Sequence, residues 1–133
     1  MEYPIPFSRY QEHMREGRFV GLRCGACGSV LFPPRAVCPE CGGRDFSETE
    51  LKGEGIIRTF TVIRVPPEGR KAPYTIVMVE LSEGPYVLGN LLGLNPDEVG
   101  MELIGKRVLM KPQLVGGDLL LRGEFLVPGF YLV

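Results

Sequence analysis

The chain has 133 residues, 44% of them hydrophobic, which is enough for one packed core or two very small ones. Lysine plus arginine number 15 and aspartate plus glutamate 16, a formal charge of −1. That balance argues against a general polyanion binder, because phosphate neutralisation supplies most nucleic-acid affinity. No apolar run approaches the ~20 residues of a membrane-spanning helix, and Met1-Glu2-Tyr3-Pro4 does not open a signal peptide, so the expected compartment is the cytoplasm.

In chain order, Pro6 to Glu16 reads as a short helix. Pro6 or Ser8 can start it, Phe7, Tyr10 and Met14 form a narrow apolar stripe, and Gly17 can stop it. The stripe requires a docking surface, either in this chain or on a partner. Next come two similar knuckles, Cys24-Gly25-Ala26-Cys27-Gly28 and Cys38-Pro39-Glu40-Cys41-Gly42, with a short strand over Val30-Leu31-Phe32 that Pro33-Pro34 ends. The glycine after each second cysteine permits a positive φ.

Beyond Gly53-Glu54-Gly55 the pattern changes to strands. They are expected over 56–65, 74–81, 86–92, 106–114 and 119–127, with turns at Pro66-Pro67, Ser82-Glu83-Gly84-Pro85 and Gly116-Gly117-Asp118. Asn95-Pro96-Asp97-Glu98 announces at most one helical turn between the third and fourth strands. Five short strands interrupted there have the order of an OB-fold barrel. The expected architecture is mainly β: an N-terminal helix (1–18), a zinc ribbon (19–50) and a five-stranded OB-fold domain (51–133). The apolar end Pro128-Gly129-Phe130-Tyr131-Leu132-Val133 is expected to pack on the barrel or on a partner.

All four cysteines lie between positions 24 and 41, and in a reducing compartment such pairs bind metal rather than each other. Two residues between ligands let one tight turn bring both sulfurs to ~2.3 Å from a zinc ion. The ten residues between the pairs allow the chain to return the second knuckle opposite the first. Cys24, Cys27, Cys38 and Cys41 are therefore the expected ligands of a structural zinc, closed to water and substrate. Thiolates alone do not choose the metal, so a rubredoxin-type iron centre stands as the chemical alternative.

Catalytic constellations are missing from the sequence. His13 is the only histidine, the cysteines are committed to metal, and no nucleophile–base pair can be assembled. Alternation places Arg58 and Arg64 on one face of the first barrel strand, with Arg70 and Lys71 in the loop after it. Together they make a candidate cationic strip for phosphates. The occupant is either a nucleotide-like cofactor or single-stranded nucleic acid, the latter helped by stacking on Phe60, Tyr74 or Tyr86. A solvated edge is the plainer reading.

The ordered pieces resemble a known family. The cysteine pairs, Phe32-Pro33-Pro34-Arg35 between them and the run from Gly53-Glu54-Gly55 to Thr61-Val62 carry the likeness. Pro73 and Ile104-Gly105-Lys106-Arg107-Val108 carry it further. The chain is similar over nearly its whole length to acyl-CoA-associated proteins that join an N-terminal helix, a rubredoxin-like zinc ribbon and an OB-fold. That resemblance implies a non-catalytic accessory protein of thiolase-superfamily enzymes, of the acetoacetyl-CoA thiolase or hydroxymethylglutaryl-CoA synthase type. It also implies CoA or acyl-CoA as a ligand, for which Arg58, Arg64, Arg70 and Lys71 are the candidate phosphate contacts. Single-stranded nucleic-acid binding is the competing reading, and the charge balance disfavours it.

Overall fold

A computed structural model describes residues 4–65, 72–116 and 124–133. The helix α1 (Phe7–Arg15) starts after Pro6, which holds an extended backbone (φ −63°, ψ 154°). It stops where Gly17 takes φ 76°. The Gly17 N–H donates to Met14 O and the Arg18 N–H to His13 O, the crossed pair of bonds that satisfies the last carbonyls of a glycine-ended helix. The buried face differs from the expected stripe. Met14 is 1% exposed, but Phe7 is 65% exposed and the polar Gln11 takes the inner position at 5%.

The ribbon sheet has the order β2-β1-β3, built from β1 (Phe19–Cys24), β2 (Val30–Leu31) and β3 (Phe46–Leu51). Residues 46–51 carry Ser, Thr and two Glu, and their composition does not announce a strand. Their pairing along the whole of β1, from Phe19↔Leu51 to Cys24↔Phe46, holds them extended. At Gly21 an added Cβ would meet Leu31 O at 2.4 Å, so only glycine lets β1 and β2 approach there.

The barrel strands are β4 (Glu54–Ile63), β5 (Tyr74–Leu81), β6 (Tyr86–Leu91), β7 (Arg107–Gly116) and β8 (Glu124–Leu132). They close in the order β4-β5-β6-β8-β7, with β7 pairing back to β4. This is the five-stranded OB-fold connectivity expected from the strand order. Between β6 and β7 lie two 3₁₀ turns, Pro96–Glu98 and Met101–Leu103, the second beyond the single turn expected. Asn95 caps the first by accepting from the Asp97 N–H at 3.0 Å. The last strand lies further along the chain than expected: β8 runs to Leu132, so the apolar C-terminal segment is itself a barrel strand, with Phe130 fully buried. The expected turns at Pro66-Pro67 and around Gly117-Asp118 lie outside the described residues.

β6 and β8 run parallel but pair only at Asn90↔Gly129 and Leu91↔Phe130. Further back along β8, α1 takes over. Gln11 Nε2 donates to Leu126 O at 2.8 Å, and the Leu126 N–H donates to Gln11 Oε1 at 2.6 Å. One side-chain amide thus stands in for a neighbouring strand. One apolar cluster joins the parts: Met14, Phe19, Phe32 and Leu51 pack with barrel residues including Ile57, Val79 and Phe130.

Candidate metal centre

Each knuckle is built by the same two hydrogen bonds. In the first, the Gly28 N–H donates to Cys24 O at 2.9 Å and the Cys24 N–H to Ser29 O at 2.8 Å. In the second, the Gly42 N–H donates to Cys38 O at 2.8 Å and the Cys38 N–H to Gly43 O at 2.9 Å. Gly28 and Gly42 have φ 78° and 76°, the left-handed conformation suited to their place after the second cysteine. The Gly25 N–H donates to Asp45 O at 2.8 Å and ties the first knuckle to the segment just after the second. At Gly43 an added Cβ would sit tightly, 3.2 Å from Cys41 Sγ and 3.3 Å from Cys24 Sγ, so a side chain there would press on the sulfur cluster.

The four sulfurs all lie within 4.8 Å of one another, and the Cys24–Cys41 and Cys27–Cys38 pairs are both 3.6 Å apart. A tetrahedron with ~2.3 Å zinc–sulfur bonds has edges of about 3.8 Å, so the four residues fit the ion. Four sulfurs close the coordination sphere, and the ion would serve as a cross-link that holds two knuckles together.

The protonation of the cluster points the same way. Contact with the Ser29 hydroxyl, 3.2 Å from the sulfur, and with the Ser29 amide favours the thiolate and brings Cys27 down to about 6. Cys41 accepts from the Gly43 N–H at 3.4 Å, which favours its thiolate. Its neighbours Cys24 and Cys27 outweigh that bond and push Cys41 up to about 12. Without a cation the crowded sulfurs cannot all ionise, and a divalent ion removes that conflict.

The cationic strip is divided. β4 shifts register between Ile57 and Thr59, leaving Arg58 as an extra residue with Ile57↔Val79 on one side and Thr59↔Met78 on the other. Alternation therefore does not carry from Arg58 to Arg64, and the expected common face is corrected by this bulge. Arg58 Nε donates to Glu80 Oε1 at 2.8 Å, and Arg64 reaches Asp97 at 2.6 Å near the other end of the strand. Arg70 and Lys71 lie outside the described residues. Arg58 instead shares a cleft of about 520 Å³ with Ile56, Glu80, Arg107, Leu109 and Val133. Sequence reasoning misses Arg107, because its strand neighbours become known only with register. Register places it opposite Ile56, itself opposite Glu80.

His13 Nε2 is buried without a hydrogen-bond partner, and Phe60 packs against the core rather than standing free as a platform. Tyr86 remains exposed, with its hydroxyl 3.4 Å from Glu80. Among the described residues no helix is long and apolar enough to cross a membrane.

Comparison with known proteins agrees with this architecture. Residues 12–47 match the ChsH2 rubredoxin-like zinc ribbon domain and residues 48–111 the ChsH2 C-terminal OB-fold domain. A DUF35 domain-containing scaffold protein of Pyrococcus furiosus is 42% identical over 77% of this chain and 79% of its own length. A benzoylsuccinyl-CoA thiolase subunit, BbsA, of Thauera aromatica is 32% identical over 55% of this chain and 51% of its own. Among solved structures, one titled Ltp2-ChsH2(DUF35) aldolase superposes with a TM-score of 0.69 at 29% identity, covering 98% of both chains. A DUF35 structure from Sulfolobus solfataricus, 18% identical with a TM-score of 0.59, shares the fold. The helix, the four-sulfur ribbon and the closed barrel thus place this chain in the DUF35 family of zinc-ribbon and OB-fold proteins.

Proposed function

We propose that this chain is a non-catalytic scaffold of the cytoplasm that associates with a thiolase-superfamily enzyme and helps hold or pass its CoA-bound intermediates. The observation that carries the reading is 42% identity to a relative named a scaffold protein, over most of both chains. Relatives named as a thiolase subunit and as a probable enoyl-CoA hydratase alpha subunit support it, although this chain spans only a third of the latter. The chemistry is consistent with it. The four thiolates suit a closed metal site, and the single histidine, His13, has its Nε2 buried without a hydrogen-bond partner. The reaction would therefore belong to the partner, of the acetoacetyl-CoA thiolase or hydroxymethylglutaryl-CoA synthase type.

For CoA, the phosphate contacts proposed are Arg58, Arg64, Arg70 and Lys71. The Arg64–Asp97 pair is largely exposed and the Arg58–Glu80 pair partly so, and ion pairs open to solvent are worth only ~0–1 kcal/mol. A phosphate can displace such carboxylates at little cost. The test is capture of the tagged protein from native lysate, with mass spectrometry of the proteins that co-purify. Recovery of a thiolase or synthase supports the scaffold reading, and recovery of RNA with ribosomal proteins overturns it. Titration with CoA, with and without the recovered enzyme, then separates a site carried by this chain alone from one completed by the partner.

A further inference from the structure

The four sulfurs differ in their access to solvent. Cys24 and Cys38 are each 1% exposed, whereas Cys27 and Cys41 are open to solvent. Each exposed sulfur also faces a buried one on the opposite knuckle at 3.6 Å, Cys27 facing Cys38 and Cys41 facing Cys24. With all four sulfurs serving as ligands, exposure decides which of them an oxidant reaches first. A second thiol within reach decides whether the product is a disulfide or a more oxidised acid.

We propose that Cys27 and Cys41 are peroxide-oxidation sites, and that their oxidation exchanges the metal for two cross-knuckle disulfides, Cys27–Cys38 and Cys24–Cys41. In the first step the Cys27 thiolate attacks one oxygen of hydrogen peroxide. The O–O bond breaks, Cys27 becomes a sulfenic acid and hydroxide leaves. Cys38 Sγ then attacks Cys27 Sγ, forming the S–S bond and expelling a second hydroxide. The two sulfurs together lose two electrons, and the two hydroxides take two protons from solvent to give two waters. A second peroxide does the same at Cys41 and Cys24. A disulfide sulfur carries no charge to offer zinc, so the metal leaves as its ligands pair.

The pairing has a structural consequence. Cys24 and Cys41 are 17 positions apart and Cys27 and Cys38 11, so both bonds close the hairpin that the metal closed. Bonds within a knuckle, Cys24–Cys27 and Cys38–Cys41, would leave it open. Arg23, Arg35 and Arg44 let trypsin tell the two outcomes apart, because they divide the ribbon into peptides 24–35 and 36–44, each holding one knuckle.

The experiment treats the zinc-loaded full chain with excess hydrogen peroxide and tracks three quantities. Zinc release is read with a chelating dye, free thiols by alkylation, and linkage by tryptic mapping with fragmentation between the cysteines of each peptide. The expected result is loss of one bound zinc and all four thiols. Peptides 24–35 and 36–44 should become joined through Cys27–Cys38 and Cys24–Cys41, and dithiothreitol with added zinc should restore the starting state. Retained zinc with four free thiols overturns the proposal. So does any other pairing, or sulfinic acid at Cys27 and Cys41 without a disulfide.

Discussion

Gln11 shows how one side chain can connect two parts of the fold. Its amide satisfies both backbone groups of Leu126, at 2.8 and 2.6 Å, from a position 5% exposed. Gln11→Ala leaves an N–H and a C=O without partners, so it should cost about 1–3 kcal/mol in urea unfolding, and Gln11→Glu should also destabilise by removing the donor. A second residue-scale prediction concerns Gly89. A Cβ there would lie 2.6 Å from both the Phe130 ring and Pro128 O, and Phe130 is fully buried. Gly89→Ala should destabilise the barrel by about 1–3 kcal/mol in the same assay, because neither the ring nor the backbone has space to yield. The cysteines give a pH prediction with a definite sign. Cys41, raised to about 12 in the metal-free cluster, must lose its proton on binding zinc throughout the neutral range. Zinc affinity should therefore rise with pH by at least about tenfold per unit, measured by competition with a chelator. Below about 6 Cys27 also becomes protonated, and the dependence should steepen.

At the scale of elements, the ribbon depends on its metal more than on its core. Its own apolar cluster is small, Ile5, Val20, Leu22 and Leu31, whereas structural zinc supplies ~10–16 kcal/mol in finger-like peptides. Removing zinc with a chelator should unfold the ribbon over residues 19–46 while the barrel remains, with hydrogen exchange as the readout. The shared cluster refines that expectation. Phe19 and Phe32 pack with barrel residues, and their rings meet edge-on at 6.2 Å. Protection in the barrel should thus persist but weaken around Phe130 and Val79. Loss of all protection on chelation would show that ribbon and barrel fold as one unit.

For the whole molecule, the charge balance of −1 and the carboxylates paired with Arg58 and Arg64 weigh against a polyanion-binding surface. Single-stranded DNA or RNA should show no strongly salt-dependent binding, tested by fluorescence anisotropy from low to high ionic strength. In contrast, replacing Arg70 and Lys71 together with Ala should weaken CoA binding by about tenfold if they hold its phosphates. That corresponds to loss of roughly 1.4 kcal/mol, close to the lower end of the range for a single hydrogen bond to a charged group. Calorimetry with the partner enzyme present reads this directly.

The sequence by itself determined the four sulfurs, the glycines that shape their knuckles and the order of the barrel strands. These depend on local rules: ligand spacing, positive φ at Gly28 and Gly42, and alternation broken by turn residues. What only the tertiary structure decided depends on neighbours distant in the chain. β3 became a strand because β1 lay beside it, and Gln11 turned inward because β6 leaves the Leu126 edge open. The segment after Pro128, expected to pack on the barrel or on a partner, became part of a barrel strand between β6 and β7. The cationic strip separated because one bulged residue, Arg58, reverses the alternation of β4, and pairing partners rather than residue types create a bulge.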